Sequence, residues 1–278
     1  MPGQIEMRNE VAIRLGFFFG VLALMAIWEL LAPRRALTIS KTARWFANLA
    51  IIFINAAVVR LLFPLLPVAL ALLAQKKGWG LLNYFDAPYW FAVIAGVIVL
   101  DLVIYLQHVI FHAVPALWRL HMMHHADLDF DLTTGLRFHP IEIILSGCIK
   151  LAAVVVFGPP ATAVLIFEVL LNATSMFNHG NIRLPLSVDR VLRLFVVTPD
   201  MHRVHHSVVI KETNSNFGFN LPWWDRLLGT YCHQPAAGHQ GMTIGLSQFR
   251  DSKRLTLPRM LALPFIGEPG KYPINRGG

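Results

Sequence analysis

The apolar positions of this chain gather into four long runs. The first, Leu15 to Pro33, is about as long as the hydrocarbon thickness of a bilayer, and it predicts a membrane helix stopped by Pro33-Arg34-Arg35. It is long for a signal-peptide core. The residues before it carry mixed charge and no small-x-small cleavage site follows, so it reads as a retained helix. The second run, Trp45 to Ala74, is interrupted by Arg60, Pro64 and Pro67, and predicts a tilted helix with a proline kink, or a helix plus an interfacial piece. Arg60 is either a functional intramembrane charge or, the favoured reading, an arginine packed inside the bundle or snorkelling. The third, Pro88 to His112, carries one carboxylate, Asp101. The fourth, Ile141 to Phe177, is broken by Gly158-Pro159-Pro160 into two arms at the short end of the spanning range. They predict a helical hairpin that enters and returns to one side, with Lys150 and Glu168, one in each arm, paired or facing the bundle interior.

After residue 178 the runs stop, and 183–278 holds no spanning segment. The stretch Leu221 to Tyr231 mixes Trp and Arg in the manner of a headgroup interface. The predicted fold is therefore an all-α integral membrane protein: about three transmembrane helices plus a helical hairpin, with a helical cap. Residues 1–87 form the N-terminal transmembrane helices, 88–265 the central domain and 266–278 a tail.

Composition agrees with this reading. Hydrophobic residues make up 55% of the chain and charged residues 14%, against roughly 25% charged in soluble domains. Mean hydropathy is +0.54. The net charge of +8 reads as positive-inside bias rather than nucleic-acid binding. The loop after the first helix holds Arg34, Arg35, Lys41 and Arg44, against Lys76 and Lys77 after the second and Arg8 and Arg14 at the N-terminus. That bias puts the first loop in the cytoplasm. The end of the third helix, the segment 113–140 and everything after 178, with twelve Lys and Arg, follow on that side. Cys148 and Cys232 are too few and too far apart for a disulfide scaffold or a C-x-x-C site.

The candidate chemistry lies in the histidines, twelve in all. His121, His124 and His125 read H-x-x-H-H, and so do His202, His205 and His206. His108 and His112 are spaced i, i+4. On a helix, i, i+3 and i+4 share a face, so each stretch is expected to aim its imidazoles at one place. All three clusters fall on the cytoplasmic side by the charge count. Imidazole suits zinc, copper, iron and nickel, and so many donors suggest two metal ions. Asp101 lies about two turns before His108, where it would either accept from a metal-bound imidazole or make a polar contact between helices. Asp127, Asp129, Asp131 and Asp200 flank the clusters and would fix imidazole tautomers or act as loop and capping carboxylates. Asp200 is placed to cap a helix beginning near Met201. Trp223, Trp224 and Asp225 read as interface anchor and turn.

There is no H-E-x-x-H, no E-x-x-H, no C-x-x-C-H and no G-x-S-x-G. A histidine-rich, carboxylate-poor dinuclear site at a membrane face remains. An oxygenase, a dinuclear zinc hydrolase and a metal transporter or sensor all stay open on the residues alone. A transporter would place its ligands near the midplane rather than at helix ends.

The order His108-x-x-x-His112, His121-x-x-His124-His125, hairpin, His202-x-x-His205-His206 resembles the fatty acid hydroxylase / sterol desaturase superfamily of integral-membrane di-iron oxygenases. Leu132 to Pro140, Thr198 to His206 and Trp224 to Thr230 are similar to its bacterial members, and these flanks to the branch that includes alkylglycerol monooxygenase. The resemblance covers roughly 90–265. It implies that 88–265 is the catalytic domain of an O₂-dependent oxidoreductase in a bacterial inner membrane, with its site on the cytoplasmic face. It implies two iron ions and a lipid substrate (sterol, fatty acyl or ether lipid) that is hydroxylated or desaturated according to its pose. The implied ligands are His108, His112, His121, His124, His125, His202, His205 and His206. His179, in Asn178-His179-Gly180-Asn181, matches a position of a further ligand, and a tenth stays open. His139 is expected in a loop or behind the ligands, and His233 and His239 in solvent. No Rossmann fingerprint, haem or iron–sulfur module is encoded. A separate electron donor is expected: a reductase, ferredoxin or cytochrome, or a reduced pterin.

Overall fold

The computed structural model describes residues 7–63 and 66–275, and among these the only regular structure is helical. Five segments are long and apolar enough to cross a membrane: Asn9–Leu31, Lys41–Tyr84, Tyr89–Ala113, Pro140–Phe157 and Ala161–Asn178. The chain is an integral membrane protein. In chain order, α1 is Met7–Leu31 and α2 Lys41–Leu62; α3, Pro67–Lys77, completes the second run, and the single turn α4, Leu81–Tyr84, follows it. Pro64, one of the expected kink residues, lies outside the described residues, but the break itself sits between Leu62 and Pro67. The third run is α5, Tyr89–Ala113, followed at once by α6, Pro115–His125. The fourth is α7, Pro140–Phe157, and α8, Ala161–Asn178.

Proline and glycine set the joints. Pro67, Pro115, Pro140 and Pro199 occupy first helical positions, where the missing N–H costs nothing. Between α7 and α8, Gly158 takes a left-handed conformation (φ 63°). A Cβ on the neighbouring Gly80 would lie 2.2 Å from the Gly158 backbone, so the hairpin turn and the α3–α4 connection close against each other through two glycines.

In the membrane part, α5 packs on α7 and α8, α1 on α8, and α3 on both arms of the hairpin. The cap is built from α6, the loop 126–139, the short helices α9 (Leu186–Leu192), α10 (Pro199–His205), α11 (Ile210–Thr213), α12 (Trp223–Leu227) and α13 (Gly238–Gly241), and α14 (Leu257–Ile266) laid on α6. The first half of α2 belongs to the cap as well. Arg44, Asn48, Ile51 and Asn55 make a buried face. Arg44 grips Asp127 with two bonds of 2.8 Å and Asp131 at 2.7 Å, Asn48 donates to Thr133, and Asn55 to the Phe138 carbonyl. At the end of α1, Glu29 accepts from the backbone N–H of Leu132 (2.7 Å) and Asn181 (2.9 Å). These buried polar ties fix the loop 126–139 and the end of α8 relative to the bundle.

Candidate metal centre

The histidine-bearing ends of α5, α6 and α8, the start of α7 and the whole of α10 meet at one end of the bundle. Nine imidazoles converge there in two groups whose ligand atoms lie within 4.8 Å of one another. His108, His112, His121, His125 and His205 form one, and His124, His179, His202 and His206 the other. None is more than 4% exposed. The expectation that each H-x-x-H-H aims at one place is corrected. In the first stretch His121 and His125 enter the five-membered group and His124 the other; in the second, His202 and His206 enter the four-membered group and His205 the other. Residues i and i+4 stack along one row of the helix, while i+3 stands on the far side of the shared face. Each stretch thus lies across the gap between the groups and feeds both.

The ring nitrogens report their protonation. The Nδ1 of His108 donates to the Phe217 carbonyl (2.8 Å), that of His205 to the Ser215 carbonyl (2.7 Å), and that of His121 to the Glu142 carboxylate (2.7 Å). His112 Nδ1 donates to Asn214 Oδ1 (3.0 Å), whose amide is oriented by its own bond to the Tyr272 carbonyl. His179 Nδ1 donates to the Ser175 carbonyl (2.8 Å) and to Asn178 Oδ1 (2.6 Å). A neutral imidazole with its proton on Nδ1 carries a lone pair on Nε2. Those lone pairs face each other: His108 Nε2 lies 3.1 Å from His121 Nε2 and 3.0 Å from His205 Nε2. Three further Nε2 pairs are as close, each with one ring anchored at Nδ1: His112 and His125 (3.1 Å), His179 and His124 (3.2 Å), and His202 and His179 (3.1 Å). Among His108, His121 and His205, all anchored at Nδ1, lone pair against lone pair at this distance is repulsive until a cation lies between them. Burial, reinforced by mutual repulsion of charge, holds His124, His125, His202, His205 and His206 well below the usual histidine range; burial takes His179 down to about 3. Buried neutral donors gathered in two groups, five of them tied from behind, fit a pair of metal ions.

The tautomer anchors are not the residues expected from sequence. Asp127 and Asp131 belong to Arg44, Asp129 accepts from the Thr38 and Ile39 N–H groups, and Asp200 pairs with Arg34 and Arg203. Nor does Asp200 cap α10: Thr198 does, accepting from Met201 N, and the helix starts at Pro199. Asp101 does not reach His108. It accepts from the backbone N–H of Asn220 and Leu221 and from Trp224 Nε1 (2.8 Å), pinning the loop after Phe219 to α5. Asp225 holds the same loop from its other end through Phe217 N and Gly218 N. His139 is the N-cap of α7 and stands outside both groups, and His233 is exposed. His239, expected in solvent, is buried 3.7 Å from Asp200. Glu142 and Asn214 were the missed contributors. Glu142, acidic and in the first turn of a helix that starts beside the centre, was findable; Asn214 had no signal.

Gly135 seats the loop. Its Cβ would come 2.3 Å from the Ser175 carbonyl and 2.9 Å from His179 Nδ1, so only glycine lets the loop press on the end of α8. Beside it, Phe138 stacks on His124 at 4.5 Å between ring centroids, and Phe219 lies 6.1 Å from His108. Both rings also line a cavity of about 540 Å³ that lies beside the centre and runs into the bundle between α1, α2, α5, α7 and α8.

The model of the family described as "Fatty acid hydroxylase" matches residues 93–230. An ornithine lipid hydroxylase, OlsE, of Rhizobium tropici is 27% identical over 225 residues, 78% of this chain and 66% of its own length. The alkylglycerol monooxygenase of Homo sapiens is 27% identical over 175 residues (60% of this chain, 36% of the relative), and that of Xenopus tropicalis 28% over 170 (59% and 35%). The chain spans about two thirds of the first relative and about a third of the other two. No solved structure matches. With its histidines in the motif order and its hairpin between the second and third clusters, the chain belongs, through residues 93–230, to the fatty acid hydroxylase family.

Proposed function

We propose that the chain is a membrane-bound non-haem di-iron oxygenase that hydroxylates or desaturates an unactivated C–H position of a lipid, drawing two electrons from a separate reductase, ferredoxin, cytochrome or reduced pterin. The observation that carries this reading is a pair of buried all-imidazole groups beside a largely apolar cavity inside a membrane bundle, with Phe138 and Phe219 between the two. Five imidazoles in one group exceed the four ligands of a structural zinc and the three of a catalytic one, which favours iron over a dinuclear zinc hydrolase. Ligands at helix ends rather than at broken helices near the midplane weigh against a transporter.

Bound iron would supply two-electron activation of O₂ toward the C–H bond. The rest falls to the chain. The five anchored imidazoles hold their lone pairs inward without rearranging. Phe138 and Phe219 cover the groups on the cavity side and keep water from the lipid carbon. The cavity walls set which carbon faces the centre, and that pose decides between alcohol and alkene. The Lys and Arg of the cap and of the loop after α1 support a cytoplasmic location for this end, in a bacterial inner membrane. Two measurements test the reading. Protein purified anaerobically from iron-supplied cells should contain two irons, and two zincs with no iron would sink it. Lipid profiles of cells with the native chain and with His121→Ala should differ by an oxidised or desaturated lipid; identical profiles would count against the activity.

A further inference from the structure

The far wall of the cavity is charged. Glu168 lies about ten residues from the His179 end of α8, and Lys150 about ten residues from the His139 end of α7, so both stand roughly 15 Å from the metal centre along their helices. That depth is near the middle of a bilayer, where ionisable groups are rare and functional. Glu168 Oε1 accepts from Lys150 Nζ at 2.7 Å and its Oε2 from Arg14, which also bonds Glu10 at 2.8 Å. Arg14, Lys150 and Glu168 all line the cavity, as does Arg60, which has no ion-pair partner among the described residues. Glu168 is nearly covered (8% exposed), whereas the side chains of Arg14 and Lys150 keep 27% and 18% of their surface.

Donors are left over in this cluster. Both Glu168 oxygens are engaged, while an ammonium has three N–H groups and a guanidinium five. A plain hydrocarbon would leave the surplus unanswered in an apolar wall; a hydroxyl, carbonyl or carboxylate oxygen would answer it. We propose that Arg14 and Lys150, held apart and oriented by Glu168, form a polar anchor for the lipid, binding an acceptor oxygen that lies roughly 15 Å from the carbon presented to the histidines. The anchor would select oxygenated lipids over bare chains and fix which carbon reaches the centre. It rests on the oxygenase reading only for the identity of the reacting end.

The test is equilibrium binding of radiolabelled 1-octadecanol and octadecane to the purified full-length chain in detergent, which needs no turnover. The native chain should prefer the alcohol by about tenfold or more, the effect of a hydrogen bond to a charged donor. Lys150→Met and Arg14→Gln should bring the preference close to one, and Lys150→Arg should keep it. Absence of preference in the native chain, or undiminished preference in Lys150→Met and Arg14→Gln, overturns the anchor. The two readings fail separately. Preference that survives in His202→Ala, with no lipid product dependent on any histidine, upholds the anchor and removes the oxygenase. Product formation without preference does the reverse.

Discussion

At the residue scale the five anchored imidazoles are governed by what stands behind them. Among the described residues Glu142 is the one carboxylate that bonds a ring of either group, and it does so through His121. Replacing it by Gln keeps the size but removes the charge that strengthens the imidazole as a donor. Loss of an outer partner of this kind weakens metal binding by about 10–100-fold. Competition with a chelator should show that loss in Glu142→Gln with helicity unchanged. Arg44 works at one remove. It neutralises Asp127 and Asp131, both buried, and although burial by itself would raise the Asp127 pKa, Arg44 and Arg137 hold it at about 2. Arg44→Met strands two buried carboxylates, and the expected cost is about 3–5 kcal/mol, read as a lower midpoint of thermal unfolding. The histidines were legible because spacing in a helix is a local property. Their anchors were not, since all but Glu142 are backbone carbonyls or side-chain amides of the 214–217 loop and the end of α8, and nothing in a backbone carbonyl marks its sequence neighbours.

At the element scale the helices follow the sequence closely. The four apolar runs became α1, α2 with α3, α5, and the α7–α8 hairpin, since helix length in a bilayer is set by how long the apolar run lasts. The H-x-x-H-H elements did not behave as local geometry suggested, because α6 and α10 each lie across the gap between the two groups. This has a measurable consequence. His205→Ala removes a donor from the five-membered group and His202→Ala one from the four-membered group. Metal analysis of the two variants should find each keeping the ion of the untouched group, whereas a single shared site would lose both ions in either variant. Asp101 makes a separate demand. With Asp101→Leu, the segment 220–224 loses its bonds to α5 and should exchange its amide hydrogens faster while the hairpin stays protected.

At the scale of the whole molecule, the bundle and the cap are joined by buried polar contacts that also enclose the centre. Converging lone pairs disfavour the metal-free fold, and metal that binds only the folded chain stabilises it by mass action. Anaerobic chelation at neutral pH should therefore lower the unfolding midpoint by several degrees, and added iron should restore it. The cavity offers a second test. Ile143→Trp places a larger ring in its wall beside the centre. KM for the lipid should rise while metal content stays at the native level.

By itself the sequence determined that the chain crosses a membrane in helices, where they break, and which eight histidines share helical faces. All of these follow from interactions between residues close in the chain. Tertiary structure decided how those imidazoles divide five and four, which acceptors turn their lone pairs inward, and that Arg14 reaches Glu168 across 154 residues to charge the end of an apolar cavity. Such contacts join segments that approach only when the bundle closes, and a buried polar group takes whichever partner the packing brings to it.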